Sequence, residues 1–246
     1  MYVLKKVPEN LNNFRIDSIL KELNLVNSRN KAISLIMSGK VFVDDVKILK
    51  PGKLIKSKTT IKLKKNPHSW VSRGGIKLDN ALKEIDIDIS NLVCLDIGCS
   101  TGGFTDVILK RGVKRVYAID VGYGQFDWNL RNSNKVILLE RTNARFVNKE
   151  IIPEPIELIV CDVSFISMKK VLLPTKNLLA NKYKIISLIK PQFELQKKDI
   201  GKGGIVKDSS LHKIVCDDIY LWSKKNFCCK EIKIIESSIL GQKGNK

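Results

Sequence analysis

The chain has 246 residues, 43% of them hydrophobic, which is enough for one large or two small domains with a proper core. Its 44 basic and 25 acidic side chains leave a formal charge of +19, which points to a polyanionic partner such as nucleic acid or anionic lipid. No apolar run approaches the ~18 residues of a membrane span. Met1 to Leu20 has no signal-peptide core, and the six cysteines and two histidines have no metal-ligand spacing. The expectation is a cytoplasmic protein with reduced thiols and no metal.

Residues 1–10 read as a polar lead. From Phe14 the spacing predicts a helix with Ile16, Ile19, Leu20 and Leu23 on one face, capped by Asn12 or Asn13. A second helix, with Ala32, Ile33, Leu35, Ile36 and Met37, follows Ser28 as N-cap and stops at Gly39. Short strands follow at Val41–Val43 and Ile61–Leu63, with a turn at Asp44–Asp45 between them. Residues 1–67 hold 15 basic and 5 acidic side chains, so the basic density is greatest in this small module. Small, basic and two-helix-plus-sheet is the pattern of an RNA-binding module. Arg15-Ile16-Asp17, Ser28-Arg29, Ala32, Leu35-Ile36, Gly39 and Val41-x-Val43 resemble the RNA-binding domain of ribosomal protein S4 and of many pseudouridine synthases. The resemblance implies phosphate contacts by Arg15, Arg29 and Lys31.

A linker is expected at residues 67–71, since Pro67 disfavours helix at Asn66. After Gly74 and Gly75, a helix of about ten residues is predicted through Leu78, Ala81, Leu82 and Ile85, with Lys77 against the positive end of its dipole. Then comes Leu92–Phe104, LVCLDIGCSTGGF: a buried parallel strand, a glycine turn and a helix over Phe104–Arg111. Phe104 stands where a phosphate-binding loop needs Lys, and Ser100 where a dinucleotide fingerprint needs Gly. The strand Val116–Ile119 ends in Asp120, 24 positions after Asp96, as suits a carboxylate that accepts from ribose hydroxyls. These features favour S-adenosyl-L-methionine, whose sulfonium and ammonium suit an acidic strand end; the alternative is a glycine-rich turn of some other α/β protein.

Further strands are predicted at Val136–Leu139, Ile156–Cys161, Ile185–Ile189 and Ile232–Ile235, with helices over about Met168–Leu179, kinked at Pro174, and Ser209–Lys225. Asp96, Asp120, Asp162 and Lys190 close four of the strands, on the rim where α/β sheets build sites. A Lys190–Asp162 pair suits activation of a hydroxyl for in-line methyl transfer, with Lys190 either taking the proton or staying charged and orienting the oxygen. It equally suits a purely structural ion pair.

Ser72-Arg73-Gly74-Gly75-x-Lys77-Leu78, Cys94–Asp106, Asp120–Gln125, Glu140–Arg145, Asp162–Ser167 and Lys190–Glu194 together resemble the TlyA family, often labelled haemolysin A. The resemblance implies an RNA-binding domain over 1–66 and, over 72–246, a Rossmann-like class I methyltransferase domain similar to FtsJ: a doubly wound, mostly parallel α/β sheet. It implies 2′-O-ribose methylation of ribosomal RNA, typically of cytidines, with ribosomal subunits as partner. By motif Lys77, Asp162 and Lys190 are then catalytic. Asp96, Gly98, Ser100, Thr101, Gly102, Gly103, Phe104, Asp120 and Asn143 hold the cofactor, and Arg73 joins the RNA contacts. The family's Lys-Asp-Lys-Glu tetrad has its glutamate after a Gly-Asn-x triplet; here Gly244-Asn245-Lys246 is that triplet, and Glu236 comes too early. A domain lacking its last strand and its fourth catalytic residue is therefore expected. The alternatives are an RNA-binding protein with an inactive methyltransferase domain and a haemolysin.

Overall fold

The computed structural model describes residues 2–245 except 27, 65–67, 202, 242 and 243. The chain divides into two compact units, Met1–Ser69 and Trp70–Lys246. Position 67 of the expected linker lies outside the described residues.

The first unit runs β1 (Tyr2–Lys6), β2 (Phe14–Arg15), α1 (Ile16–Glu22), α2 (Arg29–Met37), β3 (Val41–Val43), β4 (Val46–Ile48), β5 (Leu54–Ile55) and β6 (Thr60–Lys64). An antiparallel sheet has the order β1-β6-β3-β4, and β2 pairs with β5. Strand alternation sends Val41, Ile48, Ile61 and Leu63 to one face, where Ile16, Ile19, Leu20, Ala32 and Ile36 of the two helices cover them. Two expectations fail here. The polar lead is an edge strand, β1, because its backbone pairs with all of β6. Neither Asn12 nor Asn13 caps α1, which begins only at Ile16 after Arg15; the Asn12 side chain accepts from Ser57 N at 2.9 Å. The Ser28 cap forms as predicted, with Oγ accepting from Lys31 N at 3.2 Å.

The second unit runs α3 (Arg73–Ile85), β7 (Val93–Ile97), α4 (Gly103–Lys110), β8 (Arg115–Ile119), α5 (Trp128–Arg131), β9 (Val136–Leu139), β10 (Ile156–Cys161), α6 (Met168–Leu172), β11 (Leu179–Ser187), α7 (Pro191–Glu194) and α8 (Ser209–Asn226). Its five parallel strands are ordered β11-β10-β7-β8-β9. All five residues of β7 are buried, as a strand covered on both faces must be. Leu78, Leu82, Val107 and Ile108 of α3 and α4 pack on one face, and Val171, Leu172, Val215 and Ile219 of α6 and α8 on the other. Strand order reverses between β7 and β10, which opens a crevice at their carboxyl ends.

Three expectations are corrected here. Gly74 and Gly75 lie inside α3 and do not precede it. The helix after Ser167 turns to 3₁₀ at Leu173, where Pro174 removes a backbone donor. Ile232–Ile235 forms no strand; residues of this segment and of β11 line one cleft. Side chains hold the chain that follows it, with Arg73 Nη2 donating to Leu240 O at 2.6 Å and Asn80 Nδ2 to Ser238 Oγ at 2.7 Å.

A Cβ on Gly75 would lie 2.7 Å from Trp70 Cβ and 3.0 Å from Gly103 O. Gly75→Ala is therefore expected to cost about 1–3 kcal/mol by overpacking. Gly124→Ala meets nothing within 4 Å and strains only a φ of +73°, so it should cost less. Equal melting temperatures for the two variants would show that the approach of Trp70 is not tight.

Candidate active site

The turn after β7 is tied to β8, with Gly98 N and Cys99 N both donating to Ile119 O, at 2.9 and 3.1 Å. Gly98 has φ +80°, and a Cβ there would sit 3.1 Å from Val163 Cγ1 and 3.2 Å from Asp162 O. Its missing side chain is what lets the ends of β7 and β10 meet. Gly102, at φ +93°, faces Leu130 Cδ1 in the same way, and Gly103 faces Ser72 Oγ. The space these three glycines leave is thus filled by the protein itself. Phe104 is buried in the core beneath α3.

Asp96 is fully buried, and Thr105 Oγ1 donates to its Oδ2 at 2.6 Å. Its other oxygen, Oδ1, has no hydrogen-bond partner among the described residues. Burial pushes the carboxyl up to about 7 against the opposing Thr105 bond, and the charges of Asp162 and Asp120 push the same way. Asp120 accepts from Ser100 N at 2.8 Å and Gly122 N at 2.7 Å, which joins the β8 end to the turn after β7. Thr101 is half-buried, and its carbonyl accepts from Asp127 N at 3.2 Å. Asn143 caps a 3₁₀ turn by accepting from Arg145 N at 3.1 Å.

Lys190 Nζ lies 2.6 Å from Asp162 Oδ1, with both side chains at most one-fifth exposed. The contact is an ion pair without hydrogen-bond alignment; the aligned bond of Nζ goes to Ser164 Oγ at 2.9 Å. Pro191 forces Lys190 into an extended conformation, φ −122°, which aims the side chain at the β10 end. Lys77, half-buried on α3, has its pKa lowered chiefly by burial; Asp162 opposes this and Lys190 and Arg73 add to it. The three residues taken from the motifs thus stand within electrostatic reach of one another. Glu194 braces them: it accepts from Ser167 Oγ at 2.5 Å and Met168 N at 2.8 Å, which locks the loop after β11 to the loop after β10.

Two residues the sequence reading passed over complete the rim. Phe165 is 92% exposed at φ +64°, a left-handed conformation that costs a non-glycine residue about 1–3 kcal/mol, and its ring centroid is 5.2 Å from that of Phe193. Each follows a predicted catalytic residue by three positions, and that repeated spacing was the available signal.

The expected RNA contacts are more constrained than free surface cations. Arg15 and Arg29 both bond the fully buried Asp17, Arg15 Nη2 at 2.9 Å and Arg29 Nε at 3.0 Å to Oδ2, while about half of each guanidinium side chain stays exposed. The Arg15 bond is the largest of the effects that hold the Asp17 carboxyl down at about 2. Lys31 lies in the first turn of α2, and Arg73 is engaged with Leu240. Among the described residues no group of three His, Cys, Asp or Glu could hold a metal, and no helix is long and apolar enough to cross a membrane.

An FtsJ-like methyltransferase family model matches residues 70–246 and an S4 domain model residues 14–61. Hemolysin A of Brachyspira hyodysenteriae is 42% identical over 233 residues, 94% of this chain and 96% of that protein. The 16S/23S rRNA (cytidine-2′-O)-methyltransferase TlyA of Mycobacterium tuberculosis is 43% identical over 198 residues, 80% of this chain and 74% of its own. The solved structure of a Streptococcus thermophilus protein carrying the hemolysin label is 35% identical, with a TM-score of 0.69 over 96% of this chain and 86% of that one. With glycine turn, buried Asp96 and lysine–aspartate rim set at the switch point of a parallel sheet, the chain belongs to the FtsJ-like methyltransferase family and carries an S4 domain ahead of the catalytic fold.

Proposed function

We propose that the chain transfers a methyl group from S-adenosyl-L-methionine to a ribose 2′-hydroxyl of ribosomal RNA, at cytidine, in the cytoplasm. The observation that carries this reading is the Asp162–Lys190 pair, with Lys77 beside it, at the crevice next to the partnerless Asp96 Oδ1. In this reading residues 1–66 bind RNA through Arg15, Arg29 and Lys31, residues 67–71 link, and residues 72–246 catalyse.

The cofactor fits on one observation: a buried carboxylate oxygen that lacks a donor suits a cationic ligand with N–H groups. Asp96, Ser100, Thr101, Asp120 and Asn143 would hold it, and Gly98, Gly102 and Gly103 would keep the turn in place. When bound, the cofactor supplies an electrophilic methyl group on a sulfonium. Lys190 Nζ, fixed by Asp162 and Ser164, orients the 2′-hydroxyl oxygen for in-line attack. As oxygen–carbon bonding develops and the carbon–sulfur bond breaks, the hydroxyl proton would leave to solvent while Lys190 Nζ, held against Asp162, stabilises the negative charge that develops on the oxygen. Lys77 adds positive charge where the oxygen becomes anionic, and its partly apolar setting strengthens that effect. Phe165 and Phe193 offer an exposed ring pair on which an unstacked base can lie.

The direct test is methyl transfer from labelled cofactor to unmethylated ribosomal subunits. Lys190→Ala and Asp162→Asn are each expected to lower kcat about 100-fold or more with cofactor binding retained. Phe165→Ala should act chiefly on KM for RNA, by about tenfold. A Lys190→Ala protein that keeps a tenth of the activity would sink the mechanism. Subunit binding by the parent without any transfer would leave the RNA-binding alternative.

Asp96 gives a separate expectation. Its folded pKa lies above the unfolded carboxylate value, so the folded state binds the extra proton and stability falls as pH rises from about 4 to about 7. Asp96→Asn removes that penalty. Its melting temperature should gain on the parent across this window and run parallel to it above, while calorimetry shows cofactor binding lost. A constant offset from pH 4 to 8 would contradict the assignment.

A further inference from the structure

The sheet of the first unit has a second face, which no helix covers. Cross-strand register places Leu4 opposite Lys62, Lys62 opposite Phe42, and Phe42 opposite Lys47. Strand alternation puts Tyr2, Lys6 and Lys64 on the same face. Tyr2 is 43% and Leu4 61% exposed. The Tyr2 and Phe42 rings meet edge to face at 6.2 Å, and Lys62 Nζ stands 4.9 Å from the Tyr2 centroid while it also pairs with Asp45 at 2.8 Å. At one end of the sheet Lys40 lies between Lys31 and Lys64; burial first, then these two like charges, depress its pKa. A basic surface therefore runs from α2 onto this face. Strand β1, which supplies Tyr2 and Lys6, lies outside residues 14–61 matched by the S4 model.

We propose that this outward sheet face is a second nucleic-acid surface, which takes single-stranded RNA by stacking a base on the Tyr2–Phe42 island and meeting phosphates with Lys6, Lys47 and Lys64. Charge complementarity selects the partner: the unit carries 15 basic against 5 acidic side chains over residues 1–67. The exposed Tyr2 ring, with half-buried Phe42 at its edge, selects single strands, since duplex RNA keeps its base faces stacked inside. The surface is separate from the Arg15–Arg29 cluster and goes beyond the proposed methyl transfer; its test reads binding alone, so an inactive enzyme would not affect it.

The test is fluorescence anisotropy of the full chain with a labelled ten-nucleotide oligouridine and, in parallel, a labelled RNA duplex. Tyr2→Ala is expected to weaken oligouridine binding at least fivefold and duplex binding less than twofold. Tyr2→Phe, which keeps the ring, should bind as the parent does. The double variant Lys47→Gln/Lys64→Gln should weaken binding and flatten the salt slope by about 1.4, roughly 0.7 per phosphate. The proposal is overturned if a folded Tyr2→Ala binds oligouridine like the parent, or loses both RNAs equally. It also falls if Arg29→Gln alone abolishes oligouridine binding, or if Tyr2→Ala weakens only binding to whole ribosomal subunits, which would mean a protein contact.

Discussion

The arrangement of the catalytic unit depends on a steric constraint: the segment before α3 and the turn after β7 occupy one volume with no room for a side chain. Trp70 fills the space beside Gly75, Ser72 Oγ the space beside Gly103, and Leu130 the space beside Gly102. Interiors tolerate such contacts only where every atom is accounted for. Gly75 and Gly103 thus let the first turn of α3 press against the start of α4, which places Lys77 within electrostatic reach of Asp162, while Gly102 makes the same kind of room for Leu130 of α5.

The electrostatics of the rim follow from that geometry. Three strand ends bring Asp96, Asp120 and Asp162 into one crevice of a chain whose overall charge is strongly positive. Each carboxylate is handled differently. Asp120 is spent on backbone N–H groups, Asp162 is matched by Lys190, and Asp96 keeps one oxygen without a donor. A site so divided has a fixed dipole pattern before any ligand arrives, which is the condition for charge to be stabilised without reorganisation. The Ser167–Glu194 bond then makes the loops after β10 and β11 one mechanical piece, so the Asp162–Lys190 spacing is set by the protein rather than by the substrate.

Much of this was legible in the chain. Short apolar runs such as Leu92–Leu95 and Leu158–Cys161, each bounded by turn signals, read as strands covered on both faces, and polar residues closing them mark the rim. The glycine turn gave the position of the crevice, and the motif resemblance gave the family. Features that depend on distant partners were not legible. Tyr2–Lys6 has no apolar–polar alternation to announce a strand, and forms one because β6 offers it an edge. Gly74 and Gly75 look like a break, yet both lie inside a helix, where Trp70 and Gly103 leave Gly75 no room for a side chain. Ile232–Ile235 has strand composition, but composition does not supply a neighbouring backbone. The tie of Arg15 and Arg29 was not legible, because Asp17, two positions from one and twelve from the other, shows its role only when the helices pack.

That shared Asp17 has a consequence for binding entropy. A free arginine gives up about 2 kcal/mol of rotamer freedom when a ligand fixes it. Arg15 and Arg29 have surrendered part of that freedom during folding, since each is already bonded to the same buried carboxylate with its outer half left toward solvent. A phosphate that meets them orders less side chain than it would on an untethered pair, and a larger share of each contact survives as net affinity. On the proposed reading, such a surface would need fewer cations to hold RNA, at the cost of one acidic side chain sealed in the core.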